Sequence, residues 1–242
     1  MSISEDQAIL LEKVTKILLG THDFRALAEK SVDLVVKELK AQGLVGAAVF
    51  RVHQNENKLY AYAFSTKYTR AIEKLLPSRF ANLSVALTET HNLTVRTVNT
   101  GQIQHGKHLQ AFSHNVLPDG VSSKVQMLMK AKSFMSFPIA THNRIAGAIL
   151  FASSAGEIDS EQITLFETFA RQLALAFSNV FAFEKLMHQY QQKFKSENDP
   201  DNIPSVKFTL RITPAEDKKL DALARARGKT KAELIREFLD RI

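Results

Sequence analysis

Residues 206–212, Val-Lys-Phe-Thr-Leu-Arg-Ile, alternate strictly between apolar and polar side chains. On a strand this puts Val206, Phe208, Leu210 and Ile212 on one face and Lys207, Thr209 and Arg211 on the other. Two helix starts follow. Thr213-Pro-Ala-Glu216 offers a cap, a proline at the first helical position and an acid at the third, and Thr230-Lys-Ala-Glu233, just past Gly228, is a second capping box. The first helix presents Leu220, Leu223 and Ala224, the second Leu234, Ile235, Phe238 and Leu239. One strand and two short helices are too little to bury a stable core, and a lone strand leaves its backbone donors and acceptors unpaired. A symmetric pair of copies removes both deficits, because the strands pair into a ribbon and the four helices interlock. The polar face of that ribbon carries three side chains from each copy and is narrow enough for the DNA major groove.

Charge supports the same reading. Residues 204–242 hold ten Lys/Arg against six Asp/Glu, so they carry +4 of the chain's +7 in 39 of its 242 residues. The segment before them, KFKSENDPDNIPS (193–205), is polar, contains Pro200 and Pro204 and has no apolar period, as expected of a linker. The stretch Phe208-Thr209-Leu210-Arg211-Ile212, with Gly228-Lys229-Thr230-Lys231-Ala232-Glu233-Leu234-Ile235-Arg236, closely resembles a ribbon-helix-helix domain of the Arc/MetJ/CopG type. The resemblance implies that Lys207, Thr209 and Arg211 read bases in double-stranded DNA. It also implies that the backbone N–H groups of Thr230 and Lys231 clamp a phosphate at a helix start, and that Lys229 adds a backbone contact. Read alone, the three polar strand residues are equally a solvated face.

The larger part opens with helical patterns over residues 5–19 and, capped by Asp23, from there to about residue 42. Two strand-like runs, LVGAAVFRV (44–52) and KLYAYAFS (58–65), read as a hairpin across HQNEN. Short helices are expected near 67–76, 92–100 and 121–131. A second hairpin, KSFMSFPIAT (132–141) with RIAGAILFAS (144–153), turns at His142-Asn143. A long helix begins at Asp159 with Gln162 three residues on, a capping-box spacing, and runs to about residue 195.

This order resembles a GAF domain over roughly residues 5–190. The resemblance rests on Lys132–Ile139 with its Pro138 step, on Arg144–Leu150 with Gly147, on the Asn99-Thr100-Gly101-Gln102 turn and on the closing helix EIDSEQITLFETFARQLALAFSNV. It implies an α+β fold: a six-stranded antiparallel sheet with a small-molecule pocket on one face and dimerising helices on the other. The domains expected are 1–192 for sensing and dimerisation, 193–205 as linker and 206–242 for DNA binding.

The long helix carries a further pattern. Phe166, Leu173, Val180, Met187 and Phe194 recur every seven residues, and Phe169, Ala176, Phe183 and Tyr190 follow three behind. That is a coiled-coil seam spacing. The first half must pack on the domain's own sheet, so the dimer seam is expected through Val180, Phe183, Met187 and Tyr190.

The chain has no cysteine. That excludes disulfides, thiolate metal sites and a cysteine nucleophile, and with them the bilin attachment and methionine sulfoxide reductase chemistry of some GAF branches. Asn57-Lys58 matches the start of a cyclic-nucleotide signature of that family, but the later Asp-Glu is missing. His105, His108 and His114 lie close in sequence without accompanying metal-ligand spacing and read as a polar loop. No apolar run spans a bilayer, and MSISEDQAILLEK lacks a signal-peptide pattern. No cofactor, catalytic residue or membrane partner is expected. The reading is a cytoplasmic, dimeric one-component transcriptional regulator whose GAF domain senses a small molecule or mediates assembly. The alternative is an antitoxin or plasmid-maintenance type protein whose GAF domain binds a protein.

Overall fold

A computed structural model describes residues 23–141, 144–196 and 214–239. The helix expected over 5–19, the His142-Asn143 turn, the strand 206–212 with Lys207, Thr209 and Arg211, and most of the linker lie outside the described residues. Contacts divide the chain into two units, 1–192 and 193–242.

In the larger unit Asp23 caps helix α1 (Phe24–Glu38) by accepting from the Ala26 N–H at 2.7 Å. Strands β1 (Leu44–His53) and β2 (Lys58–Thr66) form the expected hairpin, in which Asn57 takes the left-handed conformation at the turn. Then come α2 (Thr69–Glu73), β3 (Ser84–Ala86), α3 (Leu93–Thr100), β4 (Gln104–Gly106), α4 (Leu109–Phe112) and α5 (Asp119–Met129). Strands β5 (Ser133–Thr141) and β6 (Arg144–Ser153) pair next, and α6 (Ser160–Ser196) closes the unit. Its capping box is formed as expected: the Gln162 N–H donates to Asp159 Oδ1 at 2.8 Å and the Asp159 N–H to Gln162 Oε1 at 3.3 Å. The helix continues through Ser196, four residues into the segment read as linker.

The six described strands form one antiparallel sheet, ordered β3-β2-β1-β6-β5-β4. Period-two alternation divides it into two apolar faces. Ala47 and Val49 of β1, Met135, Phe137 and Ile139 of β5, and Ile149 and Phe151 of β6 pack with Phe24, Leu27 and Val35 of α1 and with Phe166, Phe169, Leu173 and Phe177 of α6. On the other face Phe134, Leu150 and Ala152 join Ile72, Leu109, Phe112, Val125 and Met129 from α2, α4 and α5. Gly147 lies at a close approach of two strands: a Cβ there would lie 2.0 Å from the Phe50 carbonyl oxygen.

The α6 seam needs one correction. Val180, expected in a dimer interface, is 3% exposed and belongs to the core that α6 makes with its own sheet. The same heptad spacing that suits a coiled coil also suits a helix laid on a sheet, and through Val180 the sheet uses it. Phe183 and Met187 are half-buried, and nothing is described of the Tyr190 side chain. The outward residues of α6 include Leu175 at 55% and Leu186 at 64% exposure.

Candidate nucleic-acid interface and ligand pocket

The C-terminal unit contains α7 (Pro214–Ala226) and α8 (Lys231–Leu239). The turn between them is built from its sequence. Gly228 stands at φ +62, its N–H bonds the Arg225 carbonyl at 3.2 Å, and the Lys229 N–H bonds the Ala224 carbonyl at 3.0 Å. This pair of bonds is a Schellman stop, which needs the left-handed residue that glycine supplies at little cost. Two residues on, Thr230 caps α8. Its Oγ1 accepts from the Glu233 N–H at 3.2 Å, and its own N–H donates to Glu233 Oε2 at 2.7 Å. Ala224 and Leu234 are buried, while Leu223 is left 46% exposed.

Of the residues expected to contact phosphate, Thr230 has its N–H committed to the Glu233 carboxylate, so a phosphate at this helix start would have to move that carboxylate aside. The Lys231 ammonium lies between two acids of α7, at 2.6 Å from Asp217 Oδ1 and 3.0 Å from Asp221 Oδ1. The hydrogen bond to Asp217, then that to Asp221, holds its pKa above the ordinary lysine value. Its ammonium fastens α8 to α7. The Lys229 side chain is exposed at the turn.

The sensor unit has a cavity of ≈ 100 Å³ on the sheet face away from α1 and α6. Gly46, Ala48 and Ala152 belong to its floor, and Ile72, Phe112 and Met129 come over it from α2, α4 and α5. No charged side chain lines it. One lining residue is unusual. Thr66 is 7% exposed. Its N–H and C=O are both engaged by the Thr69 hydroxyl, yet its own Oγ1 is buried without a hydrogen-bond partner.

On the opposite face, Arg51 extends the inward row of Ala47 and Val49. Its guanidinium lies 4.6 Å from the Phe24 ring centroid and 4.7 Å from that of Phe181, and it donates to both carboxylate oxygens of Glu184. Neither Thr66 nor the Arg51–Glu184 pair was singled out from sequence. For Arg51 a signal existed: a charge on the apolar row of an alternating strand needs a partner. For Thr66 there was none, since one threonine among many carries no mark.

Among the described residues no group of three potential metal ligands is found. His105 is on β4, His108 precedes α4, and His114 stands 3.5 Å from Glu89. Among the described residues no helix is long and apolar enough to cross a membrane.

The larger unit is an antiparallel sheet with helices on both its faces, and the smaller unit contributes two helices joined by a stop-and-cap turn. The chain belongs to the GAF domain family, matched over residues 23–177, and it carries a ribbon-helix-helix protein, copG family, domain over residues 206–241. These domains carry DNA binding or transcription regulation and the sensing of a small molecule or protein. No curated protein matches the chain. Solved structures similar in fold include the GAF domain of an Acinetobacter phosphoenolpyruvate-protein phosphotransferase (12% identity, TM-score 0.54, covering 74% of this chain and 96% of that one). The nlh2 GAF domain of A. aeolicus in an inactive state is another (13%, 0.53, 76% and 99%). A third is the free methionine-R-sulfoxide reductase of Neisseria meningitidis with its substrate (13%, 0.52, 75% and 96%). At these identities the likeness is one of fold.

Proposed function

We propose that the protein is a dimeric one-component transcriptional regulator. Two copies of residues 206–212 pair into a ribbon that enters the major groove of an operator, where Lys207, Thr209 and Arg211 read base edges. Arginine and lysine suit guanine O6 and N7, while threonine is less selective. Lys229 and the start of α8 hold the DNA backbone, and the GAF domain senses a small molecule. The observation that carries this reading is the ribbon-helix-helix match over residues 206–241, supported by the stop-and-cap turn that sets α7 against α8. The exposed Leu223 is the kind of apolar side chain that a second copy covers.

The test is selection from a random duplex library at near-physiological salt, with the full chain and with Lys207→Ala/Thr209→Ala/Arg211→Ala in parallel. Salt matters because phosphate contacts alone bind any sequence at low ionic strength. The native chain is expected to enrich an inverted repeat and the triple variant to enrich none. Absence of an enriched motif, or the same motif from both, moves the function to the antitoxin-like reading, in which the folded sensor domain binds a protein.

A further inference from the structure

We propose that the ligand of the sensor domain is a small, uncharged, mostly apolar molecule with one hydrogen-bonding group, bound between the sheet and helices α2, α4 and α5 with that group on Thr66 Oγ1. The inference rests on the sensor reading above and names its ligand class.

Three observations meet at the cavity. The first is its floor. Gly46 and Ala152 are cross-strand partners, and Ala48 lies beside them on β1. Small residues at adjacent positions of two paired strands leave depth that larger ones would fill. A Cβ on Gly46 would already come within 3.2 Å of Met129 Sδ. The second is the chemistry of the walls. Phe50, Phe64, Phe80 and Phe112 contribute rings, and no Lys, Arg, His, Asp or Glu is among the lining residues. A carboxylate or phosphate placed there would lose its hydration with no counter-charge, which is strongly unfavourable. A nucleotide or organic acid that buries its charge there is therefore disfavoured as occupant.

The third observation is Thr66. Of the buried hydroxyls at the cavity, that of Ser113 is engaged with Ser122 Oγ at 2.8 Å and with the Leu109 carbonyl at 3.0 Å, while that of Thr66 is not engaged. A buried hydroxyl without a partner is unfavourable, and a ligand hydroxyl or carbonyl satisfies it. Valine would fill the same space with no such penalty, so threonine there is suited to a ligand that hydrogen-bonds. Size follows from volume. An apolar cavity of about 150 Å³ holds benzene, so ≈ 100 Å³ suits a molecule near that size, with Met129 as the wall that can give.

Calorimetry and thermal shift on the full chain, without DNA, test this with phenol, benzene and benzoate at pH 7. Phenol is expected to bind saturably, to raise the Tm and to bind about 3- to 10-fold more tightly than benzene. Benzoate is expected to give no saturable binding. Thr66→Val should bring phenol down to the affinity of benzene while leaving benzene unchanged. Ala152→Leu, which fills the floor, should abolish binding of both. Thr66→Val is nearly isosteric and keeps the test decisive if Ala152→Leu fails to fold. No saturable binding of phenol or benzene, benzoate binding as tight as phenol, or a phenol preference untouched by Thr66→Val would each overturn the proposal. The readout involves no operator, so its failure is separate from failure of the DNA selection.

Discussion

Arg51 of β1 and Glu184 of α6 are joined by two hydrogen bonds, Nη2 to Oε2 at 2.7 Å and Nη1 to Oε1 at 3.3 Å. The guanidinium that makes them stands over Phe24 and Phe181, and Phe24 stacks in turn on Phe177 at 4.2 Å. Glu184 lies one turn beyond Val180, where the buried seam of the helix ends. The pair therefore ties α6 to the sheet just past its buried stretch. Strand β1 also carries Gly46, Ala48 and Phe50 to the cavity on the other face. One strand thus touches both the pocket and the exit of the long helix.

Breaking this pair should loosen the exit of the helix and little else. Glu184→Ala removes a part-exposed bidentate pair and is expected to cost about 1 kcal/mol, with the stacked rings retained. Amide exchange over residues 181–190 should accelerate several-fold, while 166–177, buried in the core, stays protected. Arg51→Lys should give nearly the same result, because an ammonium cannot make the two-pronged contact. Uniform acceleration along α6 would show that the pair holds the whole helix instead.

Gly147 is required by contact, not by conformation. A Cβ at 2.0 Å from the Phe50 oxygen cannot be accommodated without separating β6 from β1 in the middle of the sheet. Gly147→Ala is expected to destabilise by more than about 2 kcal/mol, seen as a lowered urea midpoint. Gly120, where an added Cβ would meet nothing within 4 Å and which lies in the first turn of α5, should tolerate the same change.

The fold was legible where sequence periods are long. The ten-residue strands β1 and β6, the capping box at Asp159 and the Gly101 helix stop at φ +67 all stand where the sequence put them. Strands β3 and β4 were not legible, because three residues are too few to show an alternation. They exist through their pairing with β2 and β5, as in Leu59 opposite Val85. α5 begins at Asp119, two residues before the expected start, because Pro118 supplies the turn before it. A seven-residue repeat specifies an apolar stripe but not what covers it, and at Val180 the domain's own sheet covers it. The cavity is a property of six elements and the loops between them meeting, which no local pattern encodes.

Lys231 separates an internal role from a DNA contact. With its ammonium held by Asp217 and Asp221, Lys231→Met should leave the slope of log affinity against log salt unchanged. Lys229→Met should lower that slope by about one phosphate contact. The stabilisation from Lys231 depends on pH in a defined direction. Its pKa is raised in the folded chain, so the contribution is complete below the ordinary lysine value and is lost as pH rises through the raised one. The Tm gap between the native chain and Lys231→Met should be constant at neutral pH and close in the alkaline range. A slope lowered by one for Lys231→Met would assign its ammonium to DNA.

Self-association should respond to the outward face of α6 and not to its buried seam. Leu175 and Leu186 are exposed, with Ala182 between them seven residues after Leu175. These three share one side of the helix, whereas Val180 faces the sheet. Leu175→Glu/Leu186→Glu is expected to shift the full chain toward monomer in sedimentation equilibrium, with the Tm of the monomeric sensor little changed. Val180→Ala should do the reverse, losing on the order of 2 kcal/mol of folding stability without changing the monomer–dimer constant of the folded chain. A dimer that survives both glutamates but dissociates when Phe183 and Met187 are replaced would return the interface to the seam beyond Val180. Dissociation by neither set would leave the ribbon-helix-helix halves as the site of pairing, and Leu223→Glu would then be the variant that separates the copies.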